Sequence, residues 1–200
     1  MSEAIINYNL FSLLSDRNYI LTQTDISSDF VISASTANGT PCHIRVIKYQ
    51  TKLSSPILKS LLKEIKENNP SIWRVIFIFK DKPSQQILKS FEEIESEYSK
   101  DKQNVETNLG NQENFIIEYF EESELLYNPT KHIFVPNHRI LSIEEKKDVL
   151  MKYRAKECDI PKILREDRIA RYYGGRKGDM FEIIRKCEGG ESLYYRFVEK

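Results

Sequence analysis

The stretch "WRVIFIF", residues 73–79, constrains this chain most. It is an apolar run carrying a single charge, far short of the roughly 20 residues that span a bilayer. It does not alternate with polar residues, so it reads as a strand buried on both faces. Both flanks offer helices to cover it. Upstream, Pro56 fits a first helical turn, and Leu58, Leu61, Leu62 and Ile65 recur at i, i+3, i+4 and i+7. Downstream, Ser84 can cap a helix whose Ile87, Phe91, Ile94 and Tyr98 form an inward stripe.

The rest of this region follows the same alternation. Ile6, Leu10, Leu13 and Leu14 lie on one face of an opening helix that ends at Ser15-Asp16. "YIL" at 19–21 is a short strand, and Asn38-Gly39 is a turn signal before the strand "CHIRVIKY" at 42–49. "NNP" at 68–70 stops the Pro56 helix, "KDKQNVETNLGNQEN" at 100–114 reads as a loop, and "FIIEYF" at 115–120 is a further strand. Strand, helix, strand, helix, strand gives an α/β layer with at least partly parallel pairing.

"YNPTK" at 127–131 breaks the pattern, and the charge changes sign there. Residues 1–130 carry 13 Lys and Arg against 18 Asp and Glu, a net of −5. Residues 131–200 carry 17 against 12, a net of +5. The expected organisation is a mixed α/β domain over 1–128 and a small α+β domain over 131–200. In the second, Ser142 and Glu145 fit a capping box for a helix to about Arg154, with Leu150 and Tyr153 inward. Asp167 can cap a short helix that Gly174 closes. "MFEIIRK" and "LYYRFVE" then read as a terminal hairpin joined through "CEGGES".

Several chemistries lack their parts. Cys42, Cys158 and Cys187 are scattered, and none of His43, His132 and His138 lies four residues from another, so no zinc set is expected. The turn "YYGGRKGD" with Arg176 and Lys177 suggests a phosphate cradle, but such loops open into a helix start. Here the order is helix, turn, strand, and the helix end presented is the carbonyl end, which repels anions. A restriction-type nuclease needs a carboxylate beside x-Lys on one strand, and His43 to Lys48 contains none. Glu92, Glu93, Glu95 and Glu97 read as a solvated helix face. No Walker loop or nucleophile elbow occurs, and no catalytic, cofactor-binding or metal-ligating residues are expected. At 40% hydrophobic and 30% charged, with no basic signal-like start, the chain reads as a soluble intracellular protein without a membrane partner.

The C-terminal seventy residues carry a more specific pattern: Val135, Pro136, His138, Glu145, Leu150, Tyr153, Pro161, Ile163, Asp167, Ala170, Tyr172, Gly174, Gly178, Asp179, Ile184, Arg185, Tyr195 and Arg196, in order. This resembles the assembly domain of the fifth subunit of eukaryotic RNA polymerases, which polymerases I, II and III share and which has an archaeal homologue. "SDRNYILTQ" and "RVIFIF" resemble, more loosely, the jaw domain of the same family. Ile160, Arg168 and Gly175 depart from the family pattern, and the opening helix is short. The Ile-, Lys- and Asn-rich drift suits a large DNA virus or a fast-evolving eukaryote.

The resemblance implies a non-catalytic subunit of a DNA-directed RNA polymerase. Its C-terminal domain would dock on the largest subunit beside small neighbours, and its N-terminal domain would form part of the lower jaw near downstream duplex DNA. It implies a nuclear protein, or one of a viral factory or virion. The assembly residues carried over are Pro136, His138, Tyr153, Pro161, Asp167, Tyr172, Gly174, Gly178, Asp179, Arg185, Tyr195 and Arg196. Read on their own chemistry, Pro136 and Pro161 fix loop conformation, and His138 is a hydrogen-bonded structural residue. Of Tyr194 and Tyr195, adjacent on a strand, one is core and one accessible. Arg171, Arg176, Lys177, Arg185 and Arg196 either face an acidic partner surface or are solvated. A free-standing nucleic-acid-binding module, which would want a basic face with aromatics, and a vestigial nuclease are the rival readings.

Overall fold

The computed structural model describes residues 2–21, 29–35, 41–49, 53–68, 72–103, 115–187 and 189–199. The chain divides into two compact units, Met1–Tyr127 and Asn128–Lys200. Helix α1 (Ser2–Asp16) opens the first, followed by strands β1 (Ile20–Leu21), β2 (Asp29–Ser35) and β3 (Pro41–Tyr49). Helix α2 (Ser55–Asn68), strand β4 (Ile72–Phe79), helix α3 (Gln85–Gln103) and strand β5 (Ile116–Glu121) complete it. The strands form one sheet in the order β1-β2-β3-β4-β5. The first three pair antiparallel, and β3, β4 and β5 pair parallel, each parallel step bridged by a helix.

Strand β4 is buried along its described length, with cover on both faces. Val75, Phe77 and Phe79 face a core made by Leu58, Leu62 and Ile65 of α2 and Ile87, Phe91 and Ile94 of α3. The rings of Phe77 and Phe91 stack at 5.5 Å. On the opposite face Ile76 and Ile78 are buried too, and so is Arg74. That guanidinium is held by Glu118 of β5 at 2.6 Å, and the other oxygen of Glu118 takes Arg17, which follows α1, at 2.7 Å. Burial pulls the pKa of Arg17 below its ordinary value, a pull Glu118 opposes and Arg74 reinforces.

Two expectations change here, and one strand enters that the sequence left unassigned. The sequence pattern predicts no strand at Asp29–Ser35, because Ser33 and Ser35 dilute its apolar character; pairing with β3 over seven positions supplies the preference that composition lacks. Residues 100–103 belong to α3 and not to a loop, since Lys and Gln are good helix formers however polar the stretch. Glu95 is half-buried, and its carboxylate accepts the backbone N–H of Ile117 on the edge strand β5 at 2.8 Å. An outward amide is thereby closed to other chains. The Asn38-Gly39 turn, the segment 104–114 and the side chains of Cys42 and His43 lie outside the described residues.

The second unit begins with a 3-10 turn at Pro129–Lys131, then strand β6 (Asn137–Ile140) and helix α4 (Ile143–Tyr153). Strand β7 (Lys162–Leu164), helix α5 (Arg168–Tyr173) and the hairpin β8 (Met180–Cys187) and β9 (Gly190–Glu199) follow. Its sheet runs β6-β8-β9-β7, antiparallel except for the β7–β9 pair. Ile163, Ala170, Phe181, Ile183 and Val198 make the core, with Tyr173 of α5 edge-on to Phe181. The mixture of helices and sheets is the expected α+β fold.

Helix α4 has the expected capping box, Ser142 Oγ accepting from the Glu145 N–H and Glu145 from the Ser142 N–H. It buries none of its residues, however. Leu150 is half-buried and Tyr153 is 52% exposed, so the inward placement expected of both is corrected. The helix is held to the sheet by long polar side chains, Lys146 lying over the Phe197 ring at 4.8 Å and Tyr153 against Tyr195 at 5.8 Å. Such side chains cover apolar surface while their tips stay in polar surroundings.

Candidate functional site

The twelve motif residues all fall in the second unit, where they divide into a locked group and an open group. The locked group surrounds the glycine turn. Asp167 caps α5 by accepting the N–H groups of Ile169 and Ala170 at 2.9 and 3.4 Å. Gly174 closes that helix with φ 69 and ψ 32, a left-handed position that an unbranched backbone suits. Gly178 also has positive φ, 97. The carboxylate of Asp179 accepts the Arg176 N–H at 2.8 Å, and the Asp179 carbonyl accepts the Val198 N–H at 2.8 Å.

This geometry answers the phosphate question. The amides of Gly174, Gly175, Arg176, Gly178 and Asp179 all donate to acceptors within the chain. The acceptor at Arg176 is itself a carboxylate, standing where an anion would have to sit. The turn is structural.

Four more motif residues do similar work. Tyr172 is buried, and its hydroxyl accepts from Asn128 Nδ2 at 2.8 Å, which ties α5 to the start of the unit. The Pro161 carbonyl accepts the Phe197 N–H at 2.8 Å. The Pro136 carbonyl can only accept, so the Nδ1 of His138, 2.7 Å away, carries the proton. The His138 ring stands edge-on to Phe181 at 6.1 Å. Burial lowers its pKa below 6.5, a shift opposed by the Pro136 bond and Asp167 and aided by Arg185 and Arg196.

The open group lies on the sheet. Tyr195 pairs across the hairpin with Glu182, and partial burial together with Glu182 raises its pKa above 10. Arg139 bridges Glu145 at 2.6 Å and Glu182 at 2.9 Å, joining α4, β6 and β8. The Arg185 guanidinium lies 4.6 Å from the centre of the Tyr194 ring. Arg196, on the same face of the sheet by the register, donates to the Lys162 carbonyl at 3.3 Å. Tyr194 is 45% exposed and Tyr195 half-buried, so neither is the core residue the alternation predicts.

Sequence reasoning missed Lys146, which donates to the Gly178 carbonyl at 2.7 Å and pairs with Glu157. No motif marks it; only the fold brings residues 32 positions apart together. Asn128 reads in the sequence merely as a break, although Asn before Pro is a recognisable cap, and its side chain accepts the Thr130 N–H. Among the described residues no group of three or more His, Cys, Asp and Glu is placed to hold a metal ion. No helix among them is long and apolar enough to cross a membrane.

Comparison with known proteins adds to this geometry. Residues 127–198 match the model of the family described as RNA polymerase Rpb5, C-terminal domain. The chain is 40% identical over 85 residues to the RPABC1 subunit of DNA-directed RNA polymerases I, II, and III of Caenorhabditis elegans, covering 42% of this chain and 40% of that protein. It is 43% identical over 81 residues to the corresponding subunit of Dictyostelium discoideum, covering 40% of this chain and 41% of that protein. The match thus spans about two-fifths of the length of these relatives. The family that the motifs from Val135 to Arg196 point to is the one whose model residues 127–198 match, RNA polymerase Rpb5, C-terminal domain.

Proposed function

We propose that this chain is a non-catalytic subunit of a multisubunit DNA-directed RNA polymerase. The observation that carries this reading is that the family match over residues 127–198 coincides with the compact unit Asn128–Lys200. Within that unit, motif residues are used in caps, turns and strand-to-helix ties. The C-terminal unit docks on the largest subunit and its small neighbours, with Pro136, His138, Tyr153, Pro161, Asp167, Tyr172, Gly174, Gly178, Asp179, Arg185, Tyr195 and Arg196 as the residues that shape the docking unit. The N-terminal unit forms part of the lower jaw beside downstream duplex. The protein works in the nucleus if cellular, and in a viral factory or virion if viral.

Charge sets the role of the jaw. Duplex affinity comes mostly from Lys and Arg neutralising phosphates, and residues 1–130 carry a net of −5. The jaw therefore guides DNA that the large subunits already hold. The test is purification of the tagged chain under mild conditions. Recovery in a one-to-one complex with polymerase is expected, and the chain alone should bind duplex only at about 10⁻⁴ M or weaker at physiological salt. Recovery wholly free of polymerase, with submicromolar duplex binding, would overturn the reading in favour of a nucleic-acid-binding module.

A further inference from the structure

The two faces of the C-terminal sheet are covered in different ways. Residues paired across strands share a face, so the register sets Phe181, Ile183 and Val198 on one side. Arg139, Glu182, Tyr195 and Phe197 stand on the other. The first side is the core, closed by Ala170 and Tyr173 of α5. The second side carries α4, through Glu145 to Arg139, Lys146 to the Phe197 ring and Tyr153 to the Tyr195 ring. No residue of α4 is fully buried, and its inward side chains Glu145, Lys146, Val149 and Leu150 are only half-buried.

These attachments are unequal. The side chains of Arg139 and Glu145 are 54% and 42% exposed, and an ion pair that open is weak, because water screens it and both chains lose freedom. Lys146 is more enclosed. Its ammonium donates to the Gly178 carbonyl at 2.7 Å, pairs with Glu157 and lies over the Phe197 ring. One side chain thus ties α4 to the glycine turn, to the 3-10 turn Glu157–Asp159 and to β9. The ends of the helix, by contrast, are closed within the helix itself. Ser142 and Glu145 cap the start, and the N–H of Arg154, at φ 50, returns to the carbonyls of Leu150 and Met151.

We infer that α4 is a strap that lifts from the sheet as one unit while the α5 side stays folded, and that Lys146 is the latch that holds it down. The strap belongs to the chain on its own, whether or not a polymerase holds the unit. The α5 side is sealed by apolar burial and opens only when the unit unfolds, whereas the α4 side rests on a few polar bonds and opens more readily. A detached helix of 11 residues is too short to persist in water, so lifting also melts it and frees its amides. Loss of the Lys146 charge weakens all three of its attachments together.

Hydrogen exchange read by mass spectrometry tests this on three full-length proteins: the unaltered chain, Lys146→Met and Lys147→Met. Met is as good a helix former as Lys, and Lys147 is the exposed neighbour whose loss changes the charge equally. In the unaltered chain the α4 amides should be protected, yet exchange at least about tenfold faster than those of β8 and β9. Lys146→Met should speed α4 by at least about a further tenfold and leave β8 and β9 as they were, while Lys147→Met changes neither. Exchange of α4 and the sheet at one rate in the unaltered chain overturns the strap, since the helix then opens only with the whole unit. Exchange of α4 as fast as a free peptide overturns it too, since nothing is then latched. An effect of Lys146→Met that is absent, matched by Lys147→Met, or equal in the sheet removes Lys146 as the latch.

Discussion

Arg74 and Glu118 meet at 2.6 Å on adjacent parallel strands, where the guanidinium is almost wholly buried. A charge this deep is tolerable because Glu118 pairs with it, and the same carboxylate also takes Arg17, so that one carboxylate holds two cations. Removing the carboxylate leaves both guanidiniums desolvated. Glu118→Gln should therefore lower the unfolding free energy by about 3–5 kcal/mol. Urea denaturation checks it. A loss within about 0.5 kcal/mol, as at an ordinary surface position, would make the cluster a bystander. Replacing Arg17, Arg74 and Glu118 together by Met, Met and Leu should recover much of the loss, because nothing charged is then stranded.

The glycine turn yields a paired prediction. Gly174→Val places a β-branched residue at φ 69 and should cost about 1 kcal/mol or more. Gly175 fails for a different reason. A Cβ there would lie 2.9 Å from Cε2 and 3.1 Å from Cζ of Phe181, whose ring is fully buried. Gly175→Ala should thus cost about 1–3 kcal/mol by overpacking. Gly189→Ala, with nothing within 4 Å of the new carbon, is the control. Thermal melts of all three, with Gly189→Ala alone near the unaltered chain, are the expected outcome; three indistinguishable melts contradict it.

His138 links stability to pH. Its pKa in the fold is held below the ordinary 6.5, chiefly by burial, so the unfolded chain binds the proton more readily. Its contribution is then fully present above 6.5 and is lost as pH falls from there through the folded value. Melting curves should fall in temperature as pH is taken below that point, and His138→Gln should flatten this part of the profile. Identical profiles for the two proteins would assign the acid sensitivity to other groups.

The unit Asn128–Lys200 has its own core and its own caps, which is what an autonomous domain needs. A fragment of residues 128–200 should unfold cooperatively. Since Asn128 donates to the hydroxyl of Tyr172, a fragment starting at 131 should melt lower than one starting at 128. A fragment from 128 with no cooperative transition would show that the unit depends on the rest of the chain.

What the sequence by itself determined is whatever rests on local chemistry. The buried run at 73–79, the stripes of α2 and α3, the Ser142–Glu145 box, the Asp167 cap and the left-handed Gly174 were all readable, because each depends on residues within a turn or two of one another. The motif order from Val135 to Arg196 was readable too, and it pointed to the family whose model residues 127–198 match. Tertiary structure alone decided the rest. Asp29–Ser35 became a strand because β3 lay alongside it, Glu95 was drawn from a solvated helix face to the N–H of an edge strand, and Tyr153 came to rest on Tyr195 instead of in a core. Arg74 looked like a flaw in an apolar strand until Glu118 and Arg17 arrived from segments 44 and 57 residues away. Such long-range pairings leave no local pattern, since the free energy that fixes them comes from burying groups that only the assembled sheet brings within reach.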